Sequence, residues 1–238
     1  MTFTSSRAAA AALIAVLAVG APAAGPAFAQ AKAGAAEQAK QIPVKKAFPY
    51  LDAYLKIPAA ERSRFALAYR LQSKGGGAPG KIRVWVNQGG TRTELPVAAD
   101  GQVLRLPTLA MLSDKAATIS VDKASAAPLG IDMSLEPTAR PAAEMSAAEI
   151  AAALDQANRG IKRAAGVVRF AVPTMAAATF RGAGSGEVVM ADGRRSALPL
   201  VNGSPNFAPA SAPGARTLVF AKTPTRIVLG PVPKPKKK

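Results

Sequence analysis

Cysteine and histidine are both absent from this chain, and the two absences remove much familiar chemistry. Without them no Ser-His-Asp or Cys-His nucleophile can be assembled. Zinc and copper sites built on thiolate or imidazole are excluded as well. The 14 acidic residues are scattered and contain no D-x-D-x-D-G calcium loop. No cofactor is expected. Lacking disulfides, the core must hold the fold unaided, and no cysteine is available to carry a lipid anchor. Aromatic residues make up only 5% of the chain, too few for the girdles of an outer-membrane barrel.

Long apolar runs are also scarce, and the one present is N-terminal. Arg7 precedes the uncharged Ala8 to Val19, Pro22 and Pro26 break the chain, and Ala27-Phe28-Ala29 is a small-x-small cleavage signature. The run is shorter than the roughly 20 residues a membrane-crossing helix needs. Residues 1–29 therefore read as a signal peptide. The mature chain is expected to be periplasmic or secreted, with no membrane span after cleavage.

What the chain has in excess is positive charge, 31 Lys and Arg for a formal net +17. Four of these cations, Lys234, Lys236, Lys237 and Lys238, sit in a proline-interrupted tail over residues 233–238. Proline there excludes a helix interior or a central strand, so a solvated, disordered tail is expected. Subtracting Arg7 and the tail still leaves a body of about +12. Outside the cytoplasm the available polyanions are lipid head groups, polysaccharides and acidic proteins, so an anionic envelope component is the expected partner and nucleic acid is not. Charge of this size also serves solubility alone.

Residues 30–47 form an alanine-rich linker. In "AFPYLDAYLKI" Phe48, Leu51 and Tyr54 or Leu55 recur at helical spacing, with Pro49 suited to a first turn. Pro58 should end that helix or open a short one through "AAERSR". From Phe65 the period becomes two: Phe65, Leu67, Tyr69 and Leu71 share one face, and Ile82, Val84 and Val86 another. "SKGGGAPG" reads as a hairpin connection between these strands, and "RTELPV", "AADG" and "QVLRLP" as a further hairpin. "ATISVDK" and "IDMSLEP" complete the set. Ser146 and Glu149 form a capping box that opens a helix, with Gly160 as its expected stop. Strand candidates follow at "VVRFAV", "EVVMADGRRSALPL" and "RTLVFAKTPTRIVLG", with a glycine-rich "RGAGSG" hairpin loop between the first two.

"GGTRTELPV" and "DGRRSALPL" belong to two such series. An offset of 103 places Gly90, Arg92, Leu95 and Pro96 on Gly193, Arg195, Leu198 and Pro199, Leu51-Asp52 on Leu154-Asp155, and the strand from Phe65 on that from Val168. "TISVDK" matches "TLVFAK" at an offset of 99. An internal duplication follows, on a whole-domain scale. The expected fold is mainly β with a few helices (α+β): two tandem, related, sandwich-like antiparallel modules, 48–140 and 141–232, each preceded by a helix.

Ser120-Val121-Asp122-Lys123 fits S-x-x-K, but its β-branched surroundings make a strand, in which Ser120 and Lys123 point to opposite faces. "RGAGSG" lacks the Gly-Lys ending of a phosphate loop and leads into a strand. What remains is a surface. Lys81, Arg83 and Trp85 alternate against an apolar face, Arg92 and Arg105 are expected beside them, and Arg194 and Arg195 occupy the second series. Arginine beside the sole tryptophan suits an anionic ligand; Trp85 packed under the helix or the other module is the structural alternative. The function expected is a non-catalytic binding or envelope-structural protein with a basic surface. A hydrolase using carboxylates or serine without histidine, and a subunit docking on a specific envelope protein, are the alternatives. Mass spectrometry of the exported protein is expected to find Gln30 at the N-terminus; a mature chain retaining Met1 to Val19 would overturn the assignment of compartment.

Overall fold

The computed structural model describes residues 41–73, 82–122, 129–165 and 173–233. The expected signal peptide, most of the expected linker, the glycine-rich stretch after Ser73, the strand expected from Val168 and the expected lysine tail lie outside the described residues. The first half of the chain runs β1 (Ile42–Pro43), α1 (Val44–Ala47), α2 (Leu51–Leu55), a 3-10 turn (Ala59–Arg62), β2 (Phe65–Ser73), β3 (Arg83–Gln88), β4 (Thr91–Leu95), α3 (Leu109–Ser113), β5 (Thr118–Asp122) and β6 (Leu129–Pro137). The second half continues with β7 (Glu144–Ser146), α4 (Ala147–Ala165), β8 (Ala177–Arg181), β9 (Gly186–Met190), β10 (Arg195–Ala197), β11 (Leu200–Val201) and β12 (Ser204–Phe207). A 3-10 turn (Pro209–Ser211), β13 (Ala215–Phe220) and β14 (Arg226–Gly230) complete it.

The protein is mainly β with a few helices, and every strand pairing among the described residues is antiparallel. Two four-stranded sheets have the orders β1-β5-β3-β4 and β7-β13-β9-β10. The third has six strands, β2-β6-β14-β8-β12-β11, and draws on both halves.

Period-two patterning explains the layers. Leu67 pairs with Leu135, Leu135 with Leu229, and Leu229 with Ala178, so these residues share one face of the six-stranded sheet. On that face lie two apolar cores. Leu67, Tyr69 and Leu71 meet Val84, Val86 and Ile119 of the first small sheet, closed off by Phe48, Leu51 and Leu112. Ala178, Phe180, Ile227 and Leu229 meet Val188, Leu218 and Phe220 of the second, with Ile150, Leu154 and Ala157 of α4. Leu135 packs against both cores.

Alternation gave the facing of strands but not their partners. The two glycine-rich stretches expected as hairpin loops join strands of different sheets: β2 leads to β3 and β8 to β9. A two-residue hairpin forms instead at Gly89-Gly90, where Gln88 pairs with Thr91 and the glycines take φ of 52° and 78°, the left-handed values a tight antiparallel turn requires. The "AADG" turn forms, with the Gly101 amide donating to the Ala98 carbonyl at 2.9 Å. Its arms are reduced to single bridges at Val97–Val103 and Arg70–Gln102, and Leu104, expected to face inward, is 63% exposed.

Among helices, Pro49 lies between α1 and α2, where Tyr50 at φ 64° restarts the chain. The expected helix shortens to α2, while α1 precedes it within residues read as linker; Phe48 and Leu51 are buried as their spacing requires. Pro58 opens the 3-10 turn. Ser146 caps α4 by accepting from the Glu149 amide at 3.3 Å. Gly160 is not a stop, because α4 continues to Ala165. Its role is close approach: a Cβ there would stand 2.7 Å from Phe65 Cζ and 3.3 Å from Ile57 Cδ1. Gly160→Ala would gain about 1 kcal/mol of helix propensity against an overpacking cost of about 1–3 kcal/mol. Thermal denaturation is therefore expected to show a lower Tm for Gly160→Ala, against the usual benefit of alanine in a helix; a raised Tm would show that Phe65 yields freely.

Candidate functional site

The outward face of the first small sheet is polar because its register alternates strictly. Trp85 stands opposite Glu94 on β4 and Ser120 on β5, Asn87 opposite Arg92 and Thr118, and Arg83 opposite Asp122. Trp85 on this face is nonetheless only 8% exposed. Two guanidinium groups lie over the indole, Arg92 with Cζ 3.8 Å and Arg83 with Cζ 4.9 Å from the ring centroid. Each such contact contributes about 0.5–1 kcal/mol at an exposed site.

The two arginines are not equivalent. Arg83 donates to both carboxylate oxygens of Glu94, at 3.1 and 3.3 Å, and that pairing holds the Glu94 carboxyl below its ordinary range. The Arg92 guanidinium makes no ion pair or hydrogen bond among the described residues; it lies over the indole, near enough to Glu94 to help hold its carboxyl low. A guanidinium with donors to spare suits planar oxyanions. Beside it, at the Gly89-Gly90 turn, lies an open groove of about 450 Å³ edged by Asn87, Gln88, Thr91, Arg92 and Thr118. Two of its amides are fixed from behind: Asn87 Nδ2 donates to Ser120 Oγ at 3.0 Å and Gln88 Nε2 to Asp114 Oδ2 at 3.0 Å.

Of the residues singled out in the sequence, the structure gathers Arg83, Trp85 and Arg92. Arg105 is exposed in the loop after Val103 and shares no hydrogen bond, ion pair or ring contact with them. Arg194 and Arg195 belong to the other small sheet and its turn, paired with Asp192 at 2.6 Å and Glu187 at 3.3 Å. Lys81, Lys234, Lys236, Lys237 and Lys238 lie outside the described residues. Ser120 is on β5, hydrogen-bonded to Asn87 as above, and Lys123 of the S-x-x-K match is likewise outside them.

Sequence reasoning missed a second charged group. Arg70, on β2 opposite in facing to Leu67 and Tyr69, is 7% exposed. Its guanidinium binds Glu136 through two nitrogens, Asp100 at 3.2 Å and Gln102 Oε1 at 3.0 Å, beside a cleft of about 170 Å³ also edged by Thr225 and Arg226. Two carboxylates thus converge in a concavity, the arrangement a hydrolase would need. Here they face a permanent cation and serve as its counter-ions. Burial works against the Asp100 charge, but the Gln102 amide and the Arg70 guanidinium outweigh it, and the carboxyl is held below its ordinary value. A general acid needs the reverse shift. The available signal was an arginine inside "FALAYRL", on the face away from four core residues.

Among the described residues no three acidic side chains lie close enough to hold a metal, and no helix is long and apolar enough to cross a membrane. Comparison with protein-family models, with curated proteins and with solved structures gave no match.

Glu136→Gln should destabilise the protein more than Asp100→Asn, because the Glu136 side chain is 16% exposed and that of Asp100 57%. Removing one partner of a fully buried pair costs about 3–5 kcal/mol, and the residual exposure of Glu136 puts its loss at or below the bottom of that range. Since the folded Asp100 carboxyl titrates below its ordinary 3.8, its contribution is fully present above that pH and is lost as pH falls through the lowered value. Urea denaturation of the two variants from pH 7 down to pH 3 checks both the ranking and the sign; equal losses at pH 7 would contradict the burial argument.

Proposed function

We propose that this is an exported, non-catalytic binding protein that meets an anionic envelope component at the Arg92–Trp85 face, with the lysine tail as an auxiliary contact. The observation that carries the reading is the unpaired Arg92 guanidinium, laid on Trp85 at 3.8 Å and bordering a polar groove. Stacking removes much of the rotamer freedom that an exposed arginine would otherwise lose on binding. It also makes Trp85, the only tryptophan, a built-in reporter. A long-range positive field from a chain of net +17 would speed the encounter.

The proposed architecture is a tandem duplication of one helix-plus-β module. Its support lies in register. Ile42 pairs with Ile119 and Met145 with Leu218, the same offsets of 103 and 99 that align the sequences. The two small sheets share one strand order under that correspondence. The place of β2 beside β6 is taken by β8 beside β14, later in the chain than the strand expected from Val168. In this frame the binding face is a property of the first module. The residue opposite β10 that meets Arg195 is Glu187, whereas Arg92 has Trp85.

Titrating the mature protein with polygalacturonate, inorganic phosphate and phosphatidylglycerol vesicles should change Trp85 emission for at least one probe. Arg92→Ala should abolish that response, while Arg194→Ala, on the other sheet, should keep it. Equal responses from wild type and Arg92→Ala would end the proposal. For the tail, removal of Lys234 to Lys238 leaves β14 whole, since that strand ends at Gly230. Each lysine near an anionic surface contributes at most about 1 kcal/mol and is screened beyond about 10 Å in moderate salt. Scanning calorimetry should find Tm unchanged, and co-sedimentation with phosphatidylglycerol vesicles should weaken at low salt only; undiminished sedimentation would remove the tail from the binding surface.

A further inference from the structure

We infer that the groove beside Arg92 takes an acidic polysaccharide, a polyhydroxylated chain carrying carboxylates, and this rests on the reading of Arg92 as the anion contact. The chemistry of the groove separates this ligand from the other anionic partners. Its edge offers hydroxyls from Thr91 and Thr118, side-chain amides from Asn87 and Gln88, and a single unpaired guanidinium. Neutral groups that both donate and accept outnumber the cation, as recognition of sugar hydroxyls requires.

A bilayer surface would ask for something else. Membrane-surface binding needs clustered cations and an apolar anchor. Here Arg83 is already bonded to Glu94, and Lys115, exposed beside Ala116, is the further cation next to the groove edge among the described residues. Asp114, next to it, has its carboxyl held below the ordinary value by the Ala116 amide at 2.8 Å and the Gln88 side chain. Among the described residues, Glu94, Asp114 and Asp122 are thus set against Arg83, Arg92 and Lys115. No large apolar side chain edges the groove.

A groove rich in hydroxyls and amides with one available guanidinium matches a ligand that is mostly hydroxyl with one carboxylate at a time. It matches poorly a partner that is all charge. Asn87 and Gln88 are held by Ser120 and Asp114 from behind, so their remaining donors and acceptors are oriented before any ligand arrives, which favours binding by lowering the entropy lost. The groove crosses the ends of the strands, from Gln41 and Ala116 to the Gly89-Gly90 turn, so an extended chain can lie across them.

The test uses the whole mature protein and follows Trp85 emission together with calorimetric titration. Hexagalacturonate is expected to bind at least tenfold more tightly than acetate or inorganic phosphate, and more tightly than neutral cello-hexaose or phosphatidylglycerol vesicles at equal negative charge. Thr91→Val and Thr118→Val keep the β-branched shape and remove only a hydroxyl. Together they should weaken hexagalacturonate by about 2- to 10-fold per hydroxyl engaged while leaving phosphate binding unchanged. Circular dichroism confirms that both variants fold. If vesicles or phosphate match hexagalacturonate, or if the double valine variant binds it as wild type does, the polysaccharide assignment is wrong while Arg92 as anion contact survives. If Arg92→Ala leaves every probe unaffected, both fall together.

Discussion

The antiparallel contact of β6 with β14 is the constraint on which the architecture depends. Without it the chain has two layered units, each with its own small sheet. With it, six strands form one sheet and two cores lie side by side on a common face. Leu135 stands at the seam, paired with Leu229 in β14 and with Leu67 in β2, and packed on both cores. A polar residue there would face the apolar interior of both layers, so the seam tolerates little chemical change.

Around this seam the face of the large sheet away from the cores follows electrostatic rules. Arg70 is buried and needs its three partners, which come from two parts of the chain, Asp100 and Gln102 from a turn and Glu136 from β6. The group ties that turn to the central sheet. The cluster on the first small sheet works the other way. Arg83 has a carboxylate, whereas the Arg92 guanidinium has, among the described residues, an aromatic surface and no hydrogen-bonded counter-ion. Both clusters are arginine on a strand, one with its counter-ions bonded to it and the other without.

Facing was legible in the sequence wherever period two or the helical period held: Phe65, Leu67, Tyr69, Leu71, Val84 and Val86 are all buried, and Ser146 caps its helix. Partnership was not. Nothing local distinguishes a glycine loop that folds a strand back on its neighbour from one that carries it to another sheet, so β2–β3 and β8–β9 were misread as hairpins. Gly160 was misread for a related reason: its missing side chain answers to Phe65, almost a hundred positions away. Arg83, Trp85 and Arg92 could be placed on one face from alternation and the Gly89-Gly90 turn alone. The near-burial of Trp85 on that face depends on side-chain directions that spacing does not encode, and Arg105 and Leu104 escaped because their expected strand shrinks to bridges.

The seam also bears on history. Each small sheet is built from one half of the chain alone; the halves join where α4 packs on Ile57 and Phe65 and where two strands, the last in each series, lie antiparallel. A lone module would present that strand as an open edge with unpaired backbone groups, which invites another copy of itself. Antiparallel pairing of a strand with its own twin is an isologous contact, the geometry of a two-fold dimer. If the chain is a fused pair, its present core seam is the former subunit interface.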